Sequence, residues 1–112
     1  MKKYFALYLV PAATIAEWMA KTSPEEMKAS MAEWGTWMEK NNAIFADMGN
    51  PLGKTKRVSL AETLDVKNDM TGYSIVEAES HEAAAESLKM HPHLKIPGAT
   101  IELMAIGSMP AM

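Results

Sequence analysis

Three imidazoles, His81, His91 and His93, are the side chains of this sequence whose ordinary proton affinity suits exchange near neutral pH. His91 and His93 flank Pro92, where the proline must stop a preceding helix. In a cleft between that helix and a sheet, His91 would act as a general acid or base. At a helix C-terminus it would equally serve to cap carbonyls, because the dipole there favours a cation. His93 completes a His-x-His pair and is a candidate ligand contact. The pair supplies two metal ligands, but nearby sequence offers no third, so neither a metal nor a cofactor is expected. His81 opens a helix beside Glu82 and reads as solvated.

Glu102 is the one acid in the apolar segment ATIELMAI. Turned inward, it would lose solvent, rise in pKa and become a catalytic partner for His91. Turned outward, it would be a solvated strand residue or would meet Arg57, the single arginine, across an interface. Arg57 alternates with Thr55 and Ser59 and could grip a carboxylate ligand or pair with an acid on another strand. Trp34 and Trp37 stand three apart, on neighbouring positions of a helix. Trp34 falls on the buried stripe, which leaves Trp37 as the expected wall of a pocket. Asp47 and Asn50, in a Gly- and Pro-rich segment, either face a ligand or hold the turn. A phosphate-cradling glycine loop, G-x-S-x-G and H-E-x-x-H are all missing.

These groups need elements to hold them. Residues 3–10, KYFALYLV, form a strand apolar on both faces. Pro11 opens a short helix carrying Ile15, Trp18 and Met19. Ser23, Pro24 and Glu26 then start a longer one, as N-cap, first helical residue and capping-box acid. Along it Met27, Met31, Trp34, Met38 and, after one longer gap, Phe45 recur at helical spacing, as a stripe expected to fill the core. Gly35 in its middle suggests close approach to the sheet. The loop 47–53, DMGNPLG, leads into a second strand, KTKRVSL at 54–60, whose polarity suits an edge. A third strand, YSIVEA at 73–78, precedes a helix capped by Ser80. The closing strand is 99–106.

The order predicts an α+β, ferredoxin-like β-α-β-β-α-β unit, a four-stranded antiparallel sheet with helices on one face. It spans residues 1–107, with a frayed tail at 108–112. In the closing strand Ile101 and Leu103 point one way, Met104 and Ile106 the other. The surplus apolar face calls for a second copy of the chain, giving a homodimer through the sheet face.

Composition narrows the partners. A formal net charge of −3 with scattered lysines gives no nucleic-acid footprint. The absence of cysteine removes disulfides and thiolate chemistry and suits a reducing, cytoplasmic setting. Lys2 and Lys3 before an apolar run loosely imitate a leader, but Pro11 ends the run early and its residues are strand formers. No segment is long enough to span a bilayer. Eleven methionines are many for 112 residues, and their helical spacing assigns several to core filling.

Three stretches, taken together, resemble the YCII-related family of dimeric α+β barrel proteins. They are DMGNPLG at 47–53 leading into KTKRVSL, TGYSIVEAES at 71–80, and HPHL at 91–94 before the closing ATIEL at 99–103. The resemblance covers roughly the C-terminal two-thirds and implies the fold and the dimeric barrel. It departs in two places. An Asp-Gly-Pro-Phe segment shared by many relatives is replaced here by Asp65-Val66-Lys67-Asn68-Asp69-Met70. The first strand also lacks the His that other members pair with an Asp, so no such dyad carries over. The sequence therefore leads to a small molecule bound or transformed in a cleft between helices and sheet. His91 and Glu102 would handle protons, and Trp37, Asp47, Asn50, Arg57 and His93 would contact the ligand. The competing expectation is a non-catalytic dimeric accessory protein.

Overall fold

Aromatic and β-branched residues at the start of the chain extend as β1 (Lys2–Leu9). In the computed structural model, which describes residues 1–107, two helices follow, α1 (Ala12–Lys21) and α2 (Pro24–Lys40). The expected tail at 108–112 lies outside the described residues. α2 begins as its sequence dictates, with the Ser23 hydroxyl accepting from the Glu26 amide at 3.1 Å and Pro24 at the first helical position. Next come β2 (Phe45–Asp47), β3 (Thr55–Val58), β4 (Thr63–Val66) and β5 (Met70–Ala78). α3 (His81–Ser87) is capped by Ser80, whose hydroxyl accepts from the Ala83 amide at 3.1 Å. A 3-10 turn at Pro92–Lys95 and β6 (Thr100–Ala105) complete the order.

The protein is α+β, with a four-stranded antiparallel sheet in the order β2-β5-β1-β6. That order is compatible with a ferredoxin-like fold. Register assigns the two faces. Tyr4, Ala6 and Tyr8 lie opposite Val76, Ser74 and Gly72 on one side and Ala105, Leu103 and Ile101 on the other. This face meets the helices, and Tyr4, Ala6, Val76, Ala78, Ala84 and Leu88 form its core. Fully burying a side chain such as Val76 or Leu88 contributes about 1.5–3 kcal/mol. The other face carries Phe5, Leu7, Tyr73, Ile75, Glu102 and Met104, of which only Leu7 is buried.

The second strand of the sheet is not where the sequence placed it. Phe45, expected on the helical stripe, lies beyond the end of α2 and starts the strand Phe45–Asp47 that takes that edge. The expected strand at 54–60 pairs instead with β4 in a separate hairpin. Phe45 packs against the core, whereas Lys54, Lys56 and Arg57 have nothing to gain from burial. The polar segment therefore pairs with its own chain neighbour, with an exposed Lys56–Asp65 ion pair of 2.7 Å across the two strands. Gly35 is corrected as well. A side chain there would meet nothing within 4 Å, so no close approach requires it.

The helical layer is thinly seated. Among the residues of α1 none is buried, and in α2 only Met38 is. The Cα radius of gyration is 16.0 Å, against about 13 Å for a compact domain of this length.

Candidate functional site

What the helices α1 and α2 fail to bury faces a cleft of about 430 Å³ between them and one end of the sheet. Ile15 and Trp18 reach it from α1, and Met27, Met31 and Trp34 from α2. These are the stripe residues expected to fill the core. Met38 does so, but Met31 is 73% exposed and overhangs the opening. The floor is the sheet itself, through Tyr8, Thr71, Gly72 and Tyr73. Met48 to Pro51 and His93 close two sides.

The loop at 48–51 is held by backbone demands that only glycine meets. Gly49 has φ +78°, and a Cβ there would fall 1.6 Å from the Tyr73 carbonyl oxygen. The Asp47 carboxylate accepts from the Gly49 amide at 2.8 Å, which makes Asp47 a turn residue rather than a ligand contact. Asn50 follows the turn and does line the cleft; its carbonyl accepts from the Tyr73 amide at 3.2 Å.

Polar groups at the sheet end are already ordered. The Ser74 hydroxyl donates to the Met48 carbonyl at 2.7 Å, so the Tyr8 hydroxyl must donate to Ser74 across 2.6 Å. Burial pushes the Tyr8 phenol up from its usual value, with the Ser74 bond opposing, and Tyr8 stays neutral. His93 Nε2 lies 3.1 Å from the Leu9 carbonyl and 3.0 Å from that of Thr100. It therefore carries a proton and ties β1 to β6. Burial lowers the His93 pKa, and the two carbonyl bonds act against that.

His91 is buried behind the cleft, not in its lining. Its ring centroid is 4.4 Å from Trp34, 4.5 Å from Trp37 and 5.0 Å from Tyr8. It does not cap the end of α3, which stops at Ser87. Instead it opens the next turn, with Nδ1 accepting the His93 amide at 3.0 Å. Burial, aided by the nearby His93, pulls its pKa from 6.5 down to about 4. The neutral ring has its one proton on Nε2, and that buried nitrogen has no hydrogen-bond partner.

The proposed His91–Glu102 pair does not form. Glu102 sits opposite Leu7 on the face turned away from the helices, with the sheet between it and His91. A strand residue two positions from Met104 and one from Ile101 shares the face of Met104, and Met104 faces away from the helix layer. The two tryptophans also exchange roles. Trp34 lines the cleft, and Trp37 packs behind it against Phe45 and His91. Arg57 stands on the separate hairpin, outside the cleft lining. His81 is exposed, as expected, and its ring also stacks on Tyr4 at 5.0 Å with Nε2 2.8 Å from the Leu103 carbonyl. Of the expected site residues, then, Asn50 and His93 meet at the cleft. Sequence reasoning missed Tyr8 and Ser74, whose pairing depends on strand register across 66 positions.

No charged side chain lines the cleft among the described residues. Nor do three His, Asp or Glu residues gather there as a metal site would need. No helix in the described residues is long and apolar enough to cross a membrane. No protein-family model and no curated protein matches this chain.

Proposed function

We propose that the protein binds a small, uncharged, mainly apolar molecule between the α1–α2 pair and the sheet. The observation that carries this reading is an amphipathic helix pair whose apolar stripe faces open space instead of protein. Its volume of about 430 Å³ falls in the usual range for small-molecule pockets. Indole rings and thioethers supply contact surface that adapts to a ligand's outline. An ion entering would lose water and find no opposite charge among the lining residues. The segments that resemble the YCII-related family contribute Met48 to Pro51, Thr71 to Tyr73 and His93 to this lining. Binding is favoured over turnover, because His91 and His93 are held neutral by burial and Glu102 lies on the far face of the sheet.

Tryptophan emission during titration with 2-ethylnaphthalene and with 2-naphthoate tests this. The neutral compound should perturb Trp18 and Trp34 and bind at least about tenfold more tightly than the anion, with Trp34→Ala weakening it. Equal binding of the two, or none of either, would refute the reading.

The open sheet face supports a second proposal, pairing of two chains through it in the manner of a dimeric α+β barrel. Phe5 stacks on Tyr73 with centroids 5.6 Å apart, and Ile75, Leu9 and Met104 extend the patch. A two-layer body only 18 Å thick leaves this face without cover. Apolar patches of that kind mark association surfaces. Light scattering at micromolar concentration should report a dimer; a folded monomer would count against it.

A further inference from the structure

His91 holds the one buried side-chain polar atom without a partner among the described residues, and it lies next to the cleft. Its Nδ1 is fixed as an acceptor by the His93 amide at 3.0 Å, so Nε2–H is a donor with nothing to receive it. Leaving such a group dry is costly, and the neighbouring ring faces recover only part of the loss. Native proteins keep few such groups, and each calls for a reason. Here the surroundings suggest one. The rings of Trp34 and Tyr8 lie 4.4 and 5.0 Å from His91, and both rings also line the cleft. These two rings thus touch the His91 ring and the open volume alike.

Of these two rings, Trp34 sits on the more thinly packed element. Trp34 is half-buried on a helix whose only buried residue is Met38. Beside it Gly35 stands in open space, and Met31 is 73% exposed. Thin packing of this kind goes with low local stability and with opening motions. By contrast, Tyr8 is anchored through Ser74 and sits in the central strand. Of the two rings, Trp34 is therefore the one whose rotation would open His91 to the cleft.

Building on the cleft as a binding site, we propose that its ligand class is planar, aromatic and carbonyl-bearing, with the carbonyl oxygen accepting from His91 Nε2–H once Trp34 swings aside. The aromatic part follows from the lining by Trp18, Trp34 and Tyr8. The size follows from volume: a cavity of roughly 150 Å³ holds one benzene ring, so 430 Å³ suits two or three fused rings. The carbonyl follows from the donor, which lacks only an acceptor. A carboxylate would supply one too, but would bring a charge into a lining that has none.

The test compares 2-acetylnaphthalene with 2-ethylnaphthalene, similar in shape, by calorimetry and by the carbonyl stretch of the bound ketone. The ethyl compound is the more apolar and without a donor in reach should bind more tightly. Engagement of His91 reverses the order by about five- to tenfold and lowers the carbonyl stretching frequency. In His91→Asn, whose shorter amide still accepts the His93 amide as a cap, the ketone should lose its advantage over the hydrocarbon. Should that variant not fold, the affinity order and the stretch in the unaltered protein decide. Equal affinities or an unshifted stretch overturn the carbonyl assignment and leave the cleft reading intact. Failure of both compounds to bind removes the cleft reading, and this inference with it.

Discussion

Burying His91 makes the stability of the fold depend on acidity, with a sign and a size that follow from its surroundings. In the folded protein the ring resists protonation down to about pH 4, whereas in the unfolded chain it accepts a proton near its usual 6.5. Below 6.5 the unfolded state therefore binds more protons, so stability falls as pH falls and the loss levels off below the folded pKa. With those two pKa values the single site removes about 2 kcal/mol between pH 7 and pH 5. His93, also lowered by burial, adds in the same direction. Urea unfolding at pH 7, 6 and 5, followed by tryptophan emission, measures the slope. His91→Asn should unfold at lower urea at pH 7, because it loses packing against Trp34 and Trp37, yet its stability should fall less with acid. A variant with the same slope as the unaltered protein would show that the His91 ring is not held neutral, and the reasoning from its burial would fail. The window above pH 5 is chosen because carboxylates titrate mainly below it.

Other substitutions test separate parts of the structure. Gly49→Ala should cost several kcal/mol or prevent folding, since its Cβ would meet the Tyr73 carbonyl at a φ of +78°; circular dichroism on heating checks it. Met104→Lys places a charge on the open face opposite Phe5 and should turn a dimer into a monomer, as sedimentation would show. Arg57→Glu and Glu102→Arg should each weaken the dimer about fivefold and together restore it if Arg57 of one protomer meets Glu102 of its partner; independent effects in the double variant would exclude that contact. Ser74→Ala leaves the buried Tyr8 hydroxyl without its acceptor and should lower stability by about 1–3 kcal/mol in thermal unfolding, with little effect on dimer strength.

Signals confined to neighbouring residues were readable from the chain. Ser23-Pro24 and Ser80 start helices where their cap chemistry requires, and β1 and β6 follow their strand formers. Signals that depend on distant pairing were not. Phe45–Asp47 is too short to show a strand period, and only its fit beside Val76 makes it the sheet edge. KTKRVSL does read as a strand, but nothing local says that its partner is residues 63–66 and not the main sheet. The same limit explains the tryptophans. Spacing places Trp34 on the apolar stripe, yet that stripe ends over a cleft, so the stripe residue is the exposed wall and its neighbour is packed. His91 was singled out for its chemistry and its place after α3, but whether a side chain at a helix end is wet or enclosed depends on α2 crossing above it.

The sheet also sorts charge, which bears on what the cleft can do. Alternation along β1 and its partners sends Lys3, Glu77 and Glu102 to one face and Tyr8, Ser74 and Ile101 to the other. Apart from Lys2 at the start of β1, the ionised groups on these three strands thus sit on the open face, where solvent or a second protomer can meet them. The cleft keeps hydroxyls, amides and neutral imidazoles. A site so arranged has little power to move protons at neutral pH, since His91 is a weak base and no carboxylate lines the cleft beside it among the described residues. Its means of selection are shape, aromatic contact and the few donors left unused. Discrimination by one donor is strong in such surroundings, because a ligand lacking the acceptor leaves a polar group buried and unpaired. On this argument the histidine that first suggested acid–base chemistry matters as a fixed donor, and its low pKa is a by-product of the enclosure that makes the donor selective.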